Sequence, residues 1–178
     1  MNPLAVMIVL GLTLAANSVE AQTCRSDIQP STPTSRFEDH GNGTVTDGGT
    51  GLMWKRCVEG LDGPDCASGS ANTLTWHAAL DHARTHEFAG YDDWRLPNLK
   101  ELWSLVEVAC YGPAINTTVF PNTPSAFVWS ASPYTNSPGS AWFLGTGSGD
   151  TGAGDKDTGD TFGWYVADSR LCLPPCRV

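Results

Sequence analysis

The sequence predicts an α+β domain in which two helices pack on small antiparallel sheets, with long loops between them and disulfides stapling the whole. Three observations predict it. The patterned segments run hairpin, helix, helix, loops and terminal strands, rather than the strand–helix alternation that builds a parallel sheet. Only 27 of the 157 residues after position 21 are Leu, Ile, Val or Phe, a share low enough to flag disorder by composition alone. Yet all seven Trp, four Tyr and six Phe of the 178-residue chain fall in that stretch, and each aromatic side chain buries about 150–250 Å². Six Cys add crosslinks where aliphatic burial is thin.

Residues 1–21 read as a signal peptide. Leu4 to Ala16 is an unbroken run of 13 apolar or small residues, suited to a signal core and short of the roughly 20 needed to span a membrane. Val19-Glu20-Ala21 supplies the small-x-small pattern, so cleavage is expected after Ala21, and the protein is expected to be exported, to the periplasm or beyond the cell. Residues 22–36, polar and carrying Pro30 and Pro33, read as a flexible tail, with the domain proper at 37–178.

Residues 43–54 read as strand, turn, strand, because Asp47-Gly48 between β-prone runs marks a tight turn that needs positive φ. Residues 74–88 read as a helix whose apolar face is Trp76, Ala79, Leu80 and Ala83, with Thr73 or Thr75 as its cap. A second helix is expected at 97–108, with Pro97 in its first turn, a stripe of Leu99, Leu102, Trp103 and Val106, and Lys100, Ser104 and Glu107 facing away. Beyond Cys110, short strands are expected at 127–130, 141–144 and 163–167, separated by Pro-rich and Gly/Asp-rich loops.

Charge narrows the partners. Ten Lys and Arg stand against 19 Asp and Glu, a formal net charge of −9. Nucleic acid is excluded as an expected partner, since that affinity rests on neutralising phosphates, and polyanionic glycans and anionic membrane surfaces are disfavoured for the same reason. Calcium, neutral glycans and protein partners fit the charge.

Five ordered motifs carry a family resemblance: Phe37 to Asp47 with Thr50-Gly51-Leu52-Met53-Trp54; Phe88 to Leu102, containing Asp93-Trp94-Arg95-Leu96-Pro97-Asn98; Pro113-Ala114-Ile115-Asn116; Phe120-Pro121-Asn122-Thr123; and Trp129-Ser130-Ala131-Ser132-Pro133-Tyr134. They resemble the Lcl C-terminal domain family, named for the terminal domain of a bacterial collagen-like adhesin. The resemblance implies a C-type-lectin-like fold on an exported bacterial protein with an adhesive or ligand-binding role. It transfers no catalytic residue. The chain departs from the family pattern in its Gly/Asp-rich segment at 145–160 and in its Leu171-to-Val178 ending. Glycosaminoglycan binding, associated with the namesake, sits badly with the acidic balance.

The candidate sites follow from residue chemistry. Six Cys in an exported chain are expected as three disulfides: Cys57–Cys66 across a short Gly/Asp/Pro loop, and Cys110 with Cys172 or Cys176, leaving the other for Cys24. Asp150, Asp155, Asp157 and Asp160 alternate with glycines and offer hard oxygen ligands to calcium, although their spacing matches neither the EF-hand nor the nonapeptide calcium repeat. The competing reading of that segment is a solvated, mobile loop. His82 and His86 stand one helical turn apart, but two ligands do not close a zinc site, and they read as a solvated face; His77 and Asp81 read as a surface pair. Tyr134 and Trp142 are the aromatics best placed to stack on a sugar, while Trp54, Trp76, Trp94, Trp103 and Trp164 read as core. The leading expectation is a non-enzymatic binding or adhesion module that meets a surface glycan or protein through loops 111–163. A cysteine- or metal-dependent enzyme on the same scaffold, and a structural subunit of a surface assembly, are the alternatives.

Overall fold

The computed structural model describes residues 21–168, so the expected signal core and the C-terminal Cys172 and Cys176 lie outside the described residues. The chain runs through β1 (Thr23–Cys24), a 3-10 turn at Thr34–Arg36, β2 (Phe37–Asp39), β3 (Thr44–Asp47) and β4 (Leu52–Lys55). Short strands β5 (Leu61–Asp62), β6 (Ser68–Gly69) and β7 (Thr73–Leu74) precede helices α1 (Trp76–Thr85) and α2 (Leu99–Trp103). Then follow β8 (Cys110–Tyr111), β9 (Phe127–Pro133), β10 (Ser140–Gly145), β11 (Thr151–Asp155), β12 (Thr161–Phe162) and β13 (Val166–Asp168). Two main sheets result, ordered β13-β4-β3-β2 and β11-β10-β9-β12-β7, beside the small pairs β1-β8 and β5-β6. The α+β class is as expected.

The β3–β4 hairpin forms where Asp47-Gly48 places it, but its turn is longer than two residues and its left-handed position is Gly51, at φ 72°. Asp47 is the cause. Its buried carboxylate takes two hydrogen bonds from Arg36, at 2.6 Å each, and others from the Gly49 amide and the Thr50 hydroxyl. Burial alone would raise the Asp47 pKa, yet the Arg36, Thr50 and Gly49 bonds hold it below the usual range.

Helix α1 starts at the Thr75 cap, whose hydroxyl accepts from the Ala78 amide, and buries Ala79 and Ala83. Helix α2 is less than half the expected length, at five residues. Asn98, rather than Pro97, forms its boundary, through a capping box with Glu101. After Trp103 the chain leaves the helix to pair Val106 with Ile115. Two orientations therefore reverse: Trp103 is 54% exposed, and Glu107 is 4% exposed. The Glu107 carboxylate accepts from the amides of Ser31, Thr32 and Ala109, and the Thr32 and Ala109 donors, in buried residues, would otherwise lack partners.

Those bonds tie down residues 22–36, read from composition as a flexible tail. Thr23 and Cys24 pair with Tyr111 and Cys110, and Gln22 donates to the Pro113 and Ile115 carbonyls. Among the described residues the disulfides are Cys57–Cys66, as expected, and Cys24–Cys110. The expected bond from Cys110 to the C-terminal cysteines is therefore corrected: β1 lies beside β8 and brings Cys24 directly opposite Cys110.

The core is aromatic. Trp54 and Trp164 meet edge-on at 6.2 Å between ring centroids, and Phe120 stands against Trp164 at 5.1 Å. Trp54, Trp94, Trp129 and Trp164 are fully or almost fully buried; each contributes about 4–6 kcal/mol of transfer free energy as an upper bound, at 25 cal/mol per Å². The segment read as a Gly/Asp loop contains β11, which pairs along β10. Its glycines answer to packing rather than to mobility: a Cβ on Gly152 would lie 2.5 Å from the Phe143 ring, and one on Gly154 3.0 Å from Trp129.

The two disulfides close loops of very different length, with sequence separations of 86 and 9. Loop entropy makes the longer one worth roughly 4–5 kcal/mol and the shorter about 2.7 kcal/mol. Urea unfolding of the two double-serine variants, Cys24→Ser/Cys110→Ser and Cys57→Ser/Cys66→Ser, should show the larger loss in the first; equal losses contradict the role of β1 as an anchored strand.

Candidate functional site

Two groups of side chains stand out from the structural framework. The first is the Tyr134–Trp142 pair. Trp142 lies in β10 at an irregularity in the β9–β10 register, between the paired residues Ala141 and Phe143. A bulge re-aims side chains, and here Trp142 meets Tyr134 edge-on at 4.9 Å between centroids. Both rings are partly exposed. The cross-strand neighbour of Trp142 in β11 is the small Ala153, and the Asn136 amide donates to the Tyr134 hydroxyl at 3.2 Å. The result is an aromatic corner edged by polar groups.

The aspartates proposed for calcium do not converge. Asp150 precedes β11 and Asp155 ends it, so the extended strand separates their Cα atoms by roughly 16 Å at 3.3 Å per residue. Three are occupied locally: Asp150 accepts from the Ser148 hydroxyl, Asp155 from the Asp157 amide, and Asp160 from the Thr161 hydroxyl. All four are exposed.

The second group gathers Lys55, Glu59, His82, His86 and Tyr165. Strand β4 delivers Lys55, and the turn after it delivers Glu59, whose amide donates to the Gly163 carbonyl. Helix α1 and its C-terminal end present His82 and His86 one turn apart. The Lys55 ammonium donates to Glu59 Oε2 at 2.7 Å and to His86 Nε2 at 3.2 Å. An ammonium has no lone pair, so His86 Nε2 is the acceptor and its ring proton sits on Nδ1. Burial and the adjacent Lys55 charge lower the His86 pKa, keeping the ring neutral. His82 Nε2 lies 3.8 Å from Glu59 Oε1, and its Nδ1 is 3.1 Å from the Tyr165 hydroxyl. Burial, reinforced by the Glu59 charge, pushes the Tyr165 pKa up, so the phenol stays protonated beside His82 Nδ1. For Glu59, burial pushes upward, but the Lys55 bond and charge bring its pKa below the usual range.

The His82–His86 pair, expected on a solvated face, instead meets the buried Lys55 and Glu59. Glu59 turns it into a three-donor cluster: one donor atom each from Glu59, His82 and His86 lies within 4.8 Å of the others, and among the described residues no other three His, Cys, Asp or Glu side chains gather so closely. The expected His77–Asp81 pair is replaced by separate contacts, His77 edge-on to Trp76 and Asp81 with Arg84. The four described cysteines are all in disulfides, and no helix among the described residues is long and apolar enough to cross a membrane.

Lys55 and Glu59 are both more than nine-tenths buried, and removing one partner of such a pair costs about 3–5 kcal/mol because the other is stranded. Lys55→Met should therefore lose about 3 kcal/mol in urea unfolding at neutral pH. Lys55→Met/Glu59→Gln should recover at least about 1 kcal/mol of that loss. Equal losses would show that Glu59 does not depend on Lys55.

The hairpin, the Asp93-to-Asn98 segment that leads into α2 and the aromatic strands all lie within residues 43–167, and a family model for the Lcl C-terminal domain matches those residues. No curated protein and no solved structure matches the chain. The match covers well over half of the sequence and includes the elements that carry both side-chain groups: the chain belongs to the Lcl C-terminal domain family.

Proposed function

We propose that the chain is an exported, non-enzymatic binding module with a C-type-lectin-like fold, which meets a cell-surface glycan or protein through the segments spanning residues 111–163. The observation that carries this reading is the Tyr134–Trp142 corner, two partly exposed rings at 4.9 Å held by a register irregularity beside small and polar neighbours. Aromatic faces stack on the C–H faces of sugars, and hydroxyl and amide groups at the edge take the sugar hydroxyls. Asn136, Ser137 and Ser140 supply such groups. The net charge of −9 favours a neutral glycan over a sulfated or carboxylated one. Export accords with the apolar amino-terminal run and with two disulfides, which persist in oxidising compartments.

The test is titration of the purified protein against neutral oligosaccharides, first on an array and then by calorimetry. Wild type should bind a neutral glycan, and Trp142→Ala and Tyr134→Ala should each weaken it by roughly tenfold, which is about 1.4 kcal/mol. Glycan binding untouched by both substitutions sinks the assignment of this corner. Binding to surface proteins with no neutral glycan bound would move the reading to a protein partner.

A further inference from the structure

We propose that Glu59, His82 and His86 form a binding site for one divalent transition-metal ion of the zinc type, and that the Lys55 ammonium is the internal cation with which that ion competes. Two imidazoles and a carboxylate are a recurrent donor set for such ions, leaving positions for water. The donors are already gathered within 4.8 Å, and they come from rigid places. The histidines sit one turn apart on and just beyond α1, and Glu59 is held by backbone bonds to Gly163 and Asn72.

The contacts around the donors resemble those around metal ligands. A ligating histidine usually gives its second ring nitrogen to a partner that fixes its orientation. His82 has this, with Nδ1 against the Tyr165 hydroxyl and its ring stacked on the tyrosine at 5.6 Å between centroids. His86 is stacked on Phe88 at 5.9 Å. The two Glu59 oxygens are divided between neighbours: Oε2 takes the lysine, while Oε1 faces His82. The His82 side chain is 41% exposed, so an ion and its waters have a path from solvent.

Lys55 already marks this place as one that holds positive charge. Its ammonium touches Glu59 and His86 and lies 4.8 Å from the centroid of the Phe88 ring, on whose face a cation is favoured. A metal ion that takes His86 must displace the lysine from Nε2, while Lys55 can keep Glu59 Oε2. Its charge then opposes the incoming ion. The site is therefore expected to bind metal more weakly than an uncontested three-donor site, and removal of Lys55 to tighten it.

The experiment uses EDTA-stripped protein titrated with Zn²⁺ by calorimetry at neutral pH, and with Co²⁺ by visible absorption. Wild type should bind one equivalent, with cobalt bands reporting nitrogen and oxygen ligation. His82→Gln and His86→Gln should each weaken Zn²⁺ by at least about 100-fold, beyond the 10–100-fold typical of changes to outer-shell partners, while His77→Gln leaves it unchanged. Lys55→Met should tighten binding at least tenfold. Near-ultraviolet circular dichroism identifies any variant that has not folded, and for such a variant Glu59→Gln replaces it as the loss-of-ligand test. No saturable binding by wild type, binding retained by the histidine variants, or weaker binding by folded Lys55→Met would each overturn the proposal.

Discussion

The structure depends on a clasp between β4 and the chain just before and within β13. The Lys55 amide donates to the Tyr165 carbonyl, the Lys55 carbonyl accepts from the Trp164 indole, and the Glu59 amide donates to Gly163. Arg95 and Val166 exchange backbone bonds at 2.9 and 3.0 Å, joining the segment ahead of α2 to the same strand. Trp54 and Trp164 bury their rings where these segments meet. Residues more than a hundred positions apart are thereby fixed against each other, and Phe120 packs edge-on against Trp164 at that junction. In a chain with few aliphatics, this concentration of indole surface substitutes for a broad leucine core.

The clasp also explains why a buried lysine and glutamate are tolerated. Two isolated buried charges would cost several kcal/mol each. Here the β4 backbone and Gly163 fix both residues where Tyr165, His82 and His86 supply partners. The aromatic corner at Tyr134 and Trp142 has a different physical basis. It draws on the second sheet, on a local irregularity in strand pairing, and on a neighbouring strand made of small residues. One group is thus an electrostatic cluster in the framework, and the other a partly exposed apolar surface beside a polar loop.

Much of the framework was legible in the sequence because it rests on short-range signals. The Asp47-Gly48 hairpin, the Thr75 cap, the α1 periodicity and the Cys57–Cys66 loop all lie within a few residues of their causes. What escaped was set by distant partners. Glu107 sits at a position that reads as a solvated helix face, and only the approach of Ser31 and Thr32 buries it. Cys24 lies in a stretch with tail-like composition, and its pairing with Cys110 spans 86 residues. Gly152 and Gly154 carry the composition of a mobile loop, whereas the Phe143 and Trp129 rings require them to lack side chains. For the ionic cluster, half the signal was present in the His82–His86 spacing. The other half was a Lys55/Glu59 pair, itself four residues apart, in a separate segment with no pattern that links it to α1.

Native-state hydrogen exchange tests the clasp most directly, because it separates amides that open only with global unfolding from those released by local fluctuation. The amides of Lys55, Glu59, Arg95 and Val166 should exchange at the global unfolding free energy, while the Gly145 and Gly149 amides at the β10–β11 turn exchange through cheaper local opening. If the four clasp amides instead open with the β10–β11 turn, well below global stability, then the junction of β4 with the Gly163-to-Val166 segment is not what holds this fold together.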